Sequence, residues 1–291
     1  MPALLLLPIV LALLSPALQS ALHGWLHRQP KAVFAAPVFL SASFCLAVRY
    51  YKAFSMPLVF LILGYTFVPV ICAYAQGPGR GNPPTWTDFA VILILWLPVE
   101  FSAGQQWVPK HVQGMVHSLA YGIAILLALW VFLIFRSIQG MKYNLPWQAR
   151  DLIYPFLAFV VIAPILIFVG LRSSFIAPFH VPRQLTVPTL VTRFFLILVA
   201  TALPEEILFR ALIQNFLMQK RGSSNRILFL SAFIFGCAHL NNGPGPLPNW
   251  RYMAIATIAG IAYGKVFQKT STVFSPAILH ATVNTAKHTF F

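Results

Sequence analysis

Apolar residues recur along the chain in runs separated by short polar or Gly/Pro-rich punctuation. The runs fall at 3–22, 32–48, 57–75, 89–101, 115–135 and 152–171. A hydrocarbon core of about 30 Å is crossed by about 20 helical residues, and several of these runs have that length. The pattern therefore predicts membrane helices. Pro8 and Pro16 interrupt the first run. That run also lacks the cationic segment that precedes a secretory signal, so a first membrane helix is expected there. A Gly- and Pro-rich loop is expected at 77–84.

The chain changes texture beyond a polar linker at 143–150. The helical pattern at 189–219 contains Arg193, Glu205, Glu206 and Arg210. A short run at 227–240 ends in His239, the run at 251–267 carries Gly260 and Gly264 in G-x-x-x-G spacing, and the run at 273–290 contains His280 and Asn284. Glycines four apart let helix backbones approach closely in a membrane. The expected architecture is all-α and polytopic, with about eight to ten transmembrane helices. Residues 1–145 form N-terminal transmembrane helices of unassigned role, and 146–291 form the half that holds polar groups inside its helices.

Composition supports lipid as the solvent. Hydrophobic residues make up 59% and charged residues 9%, against roughly 25% charged in soluble domains. The net charge of +15 comes from scarcity of acids, 5 against 20 bases. The bases are scattered between apolar runs, without the basic stripe or aromatic platform of a nucleic-acid binder, so no nucleic-acid partner is expected. Cationic residues at helix ends suit a membrane surface. Cys45, Cys72 and Cys237 lie within apolar runs, have no metal-ligand spacing, and read as packing residues.

The chemistry concentrates in Pro204-Glu205-Glu206-Ile207-Leu208-Phe209-Arg210. A charge at bilayer depth costs about 2.5–3.5 kcal/mol on insertion scales, so such residues face an interior and serve a function. Glu206 and Arg210 stand at i, i+4 with the acid first, the favourable orientation for a helical ion pair. Glu205 points about 100° away from that pair, which makes it the candidate general base. Phe235 and His239, and then His280 and Asn284, repeat the i, i+4 relation that places two side chains on one helix face. A single histidine is more often a packing residue. Three successive helices with polar groups on one face point to polar groups that partner one another.

Glu205-Glu206-x-x-x-Arg210, Phe235-x-x-x-His239 and His280-x-x-x-Asn284, in that order, resemble the motif series of the CPBP family of type II CAAX prenyl endopeptidases and Abi-like proteins. Ile258-Ala259-Gly260, Tyr263-Gly264, Thr270 and Ser275-Pro276 are similar to the same family's pattern, and the motif core covers about 189–287. The resemblance implies an intramembrane endopeptidase in which Glu205 activates water and His239 helps to hold it. It implies that His280 and Asn284 donate to the oxyanion. Glu206 and Arg210 would orient the site, with Glu206 also a direct contributor, and Phe235 would support it. No cofactor is expected; zinc, with Glu205, His239 and His280 as ligands, is the alternative. The expected partners are the bilayer and a membrane-associated peptide or protein substrate of CAAX or bacteriocin/leader type. The rival readings are a non-catalytic scaffold or immunity protein of the same fold, and a proton-coupled transporter. A transporter calls for two matching halves, whereas the polar residues here occupy one.

Overall fold

The computed structural model describes residues 6–79, 81–243 and 246–291. Every regular element among these residues is helical. Among the described residues five helices are long and apolar enough to cross a membrane, and Asn225–Cys237 is a shorter apolar helix. The protein is a multi-pass integral membrane protein. The chain divides into two compact units, 1–139 and 140–291.

The first unit contains α1 (Leu7–Ala12), α2 (Pro16–Arg28), α3 (Pro30–Tyr50), α4 (Met56–Gln76), α5 (Trp86–Glu100) and α6 (Lys110–Phe135). The single helix expected at 3–22 is instead two. Ser15 takes an extended conformation and caps α2 by accepting from the Leu18 amide, and Pro16 opens that helix. Proline suits the first turn of a helix and not its interior. α2 then continues through the region expected to be polar punctuation, as far as Arg28. Asp88 is fully buried at the start of α5, where it completes a capping box with Thr85. Its oxygens also accept from Arg136 Nε at 3.2 Å and Nη2 at 3.3 Å. The pair compensates two charges that would be costly alone. At the other end of α5, Trp96 Nε1 donates to Glu100 at 3.0 Å.

The second unit contains α7 (Arg150–Arg172), α8 (Val187–Arg221), α9 (Asn225–Cys237), α10 (Trp250–Lys269) and α11 (Phe274–Phe290). One face of α7 exposes Phe156, Val160, Val161 and Phe168, an apolar surface suited to lipid and not to water. The opposite side is anchored by polar contacts at one end. Asp151 accepts from the Ser271 amide at 2.8 Å and hydroxyl at 2.6 Å, and Ser275 donates to the Asp151 carbonyl at 2.8 Å. Lys142 donates to the carbonyls of Phe267 (2.6 Å) and Thr270 (2.7 Å), closing the C-terminus of α10. Burial, and then the charge of Arg150, hold its ammonium below the usual lysine range.

The expected close approach of helices occurs between α9 and α10. A Cβ on Gly260 would lie 3.3 Å from the Ala232 backbone, and one on Gly264 would lie 2.5 Å from Leu228. A third glycine adds to the contact from α9: a Cβ on Gly236 would come within 2.6 Å of the Met253 carbonyl. These approaches bring the motif ends of α9 and α10 side by side.

Candidate functional site

α8 sets the geometry, and its irregularity falls where the glutamates are. Its 35 residues extend about 50 Å at the helical rise. Wide π-helical turns at Leu198–Ala202 and Ile207–Gln214 flank the short α-helical piece Leu203–Glu206. Pro204 has no N–H to donate and crowds the preceding turn, which accounts for a local departure from α register. π-turns inside α-helices mark functional positions with unusual frequency. The helix continues beyond them, so Glu205, Glu206 and Arg210 stay on one rigid element.

Glu206 is completely buried and touches two partners. Its Oε2 lies 2.9 Å from Arg210 Nε, an ion pair turned off the line a hydrogen bond prefers. Its Oε1 lies 3.0 Å from His280 Nδ1 on α11. Arg210 is itself fully buried, with its guanidinium 4.7 Å from the Phe235 ring centre and 5.7 Å from that of Tyr263. The cation offsets the Glu206 carboxylate, and the two rings shield it from lipid.

Glu205 occupies a different environment. Its side chain keeps 22% exposure, and its Oε2 lies 3.9 Å from His280 Nε2. The imidazole of His280 therefore stands between the two acids, with one nitrogen toward each. This places Glu205 against α11, a partner that its own helix could not reveal. It also changes the part played by Glu206. The i, i+4 pairing with Arg210 is present, and the same carboxylate fixes the His280 ring as well.

His239 lies just past the end of α9 and is buried. Its Nδ1 donates to the Phe235 carbonyl at 2.8 Å. A carbonyl can only accept, so the proton of the neutral ring is on Nδ1 and Nε2 presents a lone pair. The Phe235 ring stands 4.7 Å from His239 and 5.8 Å from His280. Phe235 thereby touches both imidazoles. Asn284 is half-buried, one turn beyond His280 on the same face of α11. It is not among the contacts that tie the cluster together.

Three aromatic residues not singled out as site residues from the sequence also contribute. Tyr263 stacks on His280 with centroids 4.7 Å apart and planes at 19°. Tyr252 meets His239 edge-on at 4.5 Å, and Phe209 packs against Phe235 at 5.0 Å. Tyr263 stood in the motif series beside Gly264. Tyr252 carried no signal, because its role depends on where α10 starts relative to the end of α9. Arg193, on the same helix as the glutamates, is exposed and reaches across to α11. Its Nη1 donates to the His288 carbonyl at 3.0 Å and to Thr289 Oγ1 at 2.9 Å, at the C-terminus of α11.

The zinc alternative requires Glu205, His239 and His280 to converge as ligands. Among the described residues, no three or more His, Cys, Asp or Glu side chains form such a group. Both Nδ1 atoms are already committed, to Glu206 and to Phe235, so only the Nε2 atoms are left as nitrogen donors.

Residues 187–286, about a third of the chain, match the family described as Type II CAAX prenyl endopeptidase Rce1-like. No curated protein and no solved structure matches the chain. The matched segment carries Glu205, Glu206, Arg210, Phe235, His239, His280 and Asn284 together. This segment of the chain is thus similar to the Rce1-like family of type II CAAX prenyl endopeptidases.

Proposed function

We propose that the protein is an intramembrane endopeptidase in which Glu205 activates the attacking water. The observation that carries this reading is the asymmetry of the two acids around His280. Glu206 is sealed between Arg210 and His280 Nδ1, whereas the Glu205 side chain is 22% exposed while its buried Oε2 faces Nε2. A base for water has to be reached by water, and of the two only Glu205 combines exposure with a polar neighbour.

Glu205 takes a proton from water as the water oxygen bonds to the scissile carbonyl carbon. His239 Nε2, with its lone pair free, accepts from that water and holds it. The carbonyl π-electrons move to oxygen, and donors positioned for that charge stabilise it. The Asn284 amide is one such donor. His280 Nε2 is the other when its ring carries both protons, with Nδ1–H held by Glu206. As the tetrahedral intermediate collapses, the C–N bond breaks and Glu205 returns its proton to the departing nitrogen. Glu206 and Arg210 position His280 and do not touch the reacting atoms. The substrate is a membrane-associated peptide or protein, and a CAAX-type sequence is the class that the family implies.

The test is incubation of the purified protein in liposomes with a peptide library in H2¹⁸O, read by mass spectrometry. Endoproteolysis gives new C-termini carrying ¹⁸O, and the reading predicts that a strong chelator leaves this reaction intact. Copurification of one zinc per chain, with loss of cleavage when it is removed, would overturn the glutamate mechanism. No new terminus from any peptide would overturn the peptidase itself.

A further inference from the structure

Lys287 is a cation on the face of the site for which the second unit offers no anion. It follows His280 and Asn284 at i+7 and i+3, on the same side of α11. Its ammonium lies 4.4 Å from the Phe175 ring centre and 4.6 Å from that of Tyr252. Those two rings pack together at 4.9 Å. Tyr252 also contacts His239 at 4.5 Å, so a single ring links the lysine to the site.

The acids of this unit are Asp151, Glu205 and Glu206. Asp151 accepts from Ser271, Trp147 and Gln148. Glu206 is held by Arg210 and His280, and Glu205 faces His280. Among the described residues Lys287 forms no ion pair. A bland role, closing the C-terminus of α11, is already filled by others. Arg193 donates to the His288 carbonyl, and the amides of His180 and Ala177 donate to the carbonyls of Phe290 and Phe291. Unlike its exposed neighbour His288, Lys287 is half-buried over two rings.

We propose that Lys287, cradled by Phe175 and Tyr252, is a subsite for a carboxylate of the substrate. This rests on the peptidase reading and adds the group that the substrate must carry. Seven residues of helical rise put the lysine about 10 Å along α11 from His280. An extended peptide covers that distance in about three residues. A chain-terminal carboxylate or an acidic side chain near the cleaved bond both supply the chemistry.

The test uses the full-length protein in neutral liposomes and one cleavable peptide in three forms: C-terminal acid, C-terminal amide, and amide with Asp about three residues beyond the cleaved bond. The parent enzyme is expected to show a roughly tenfold lower KM for the acid than for the amide, with a smaller difference in kcat. Lys287→Met is expected to bring that KM ratio close to one, and Lys287→Arg to keep most of it. Restored affinity in the Asp peptide would name a side-chain carboxylate as the source, and none would name the chain terminus. Equal KM values for acid and amide in the parent enzyme would overturn the subsite whatever the variants do. So would a Lys287→Met ratio that matches the parent. Cleavage of none of the three peptides by the parent enzyme would take the peptidase reading down with it.

Discussion

Replacing Glu206 by Gln removes the charge shared by Arg210 and His280 while keeping the size of the side chain. Glu206 and Arg210 are both fully buried and 2.9 Å apart. Breaking one side of such a pair leaves an uncompensated charge and costs about 3–5 kcal/mol. Arg210→Met strands the carboxylate in the same way, relieved in part by His280 at 3.0 Å. The double variant strands neither charge. Its destabilisation should therefore fall short of the sum of the singles by about 2 kcal/mol or more, near the upper part of the range for residues in contact. Reversible unfolding in lipid–detergent mixtures of the parent, both singles and the double supplies the cycle. Additivity within about 0.5 kcal/mol would refute the claim that Arg210 exists to neutralise Glu206.

Two further outcomes are expected from other parts of the site. Gly236→Ala drives a Cβ to within 2.6 Å of the Met253 carbonyl. Overpacking of that kind costs about 1–3 kcal/mol and should appear as lower thermal stability in detergent; an unchanged melting curve would contradict the packing of α9 on α10. Asn284→Ala removes one oxyanion donor and should lower kcat by about 10²–10³ with little change in KM. A loss confined to KM would make Asn284 a substrate-binding residue instead.

Much of the fold could be read in the chain, because hydropathy and run length are local properties. The helices around Glu205, His239 and His280 begin and end within a few residues of the expected limits. The first apolar run shows where local reading fails: the decision to break at Ser15 belongs to a cap and a proline, not to hydrophobicity. The pairing of Glu206 with Arg210 was legible because both stand on one helix. The contact between Glu206 and His280 joins residues 74 apart, and no periodicity reports it. For the same reason Glu205 could be picked as the base but not seen to face His280. Lys287 and Tyr252 gave no signal, because a cation at a helix end and an aromatic at a helix start are ordinary until folding puts one over the other.

The most direct measurement is the peptide-cleavage rate of Glu205→Gln in liposomes, beside the parent protein at equal folded concentration. Gln keeps the shape and loses the ability to take a proton from water. The account predicts a fall in kcat of about 10²–10⁴, the usual contribution of a general base, with substrate binding retained. Cleavage by the variant at the parental rate would contradict it and remove Glu205 from the chemistry.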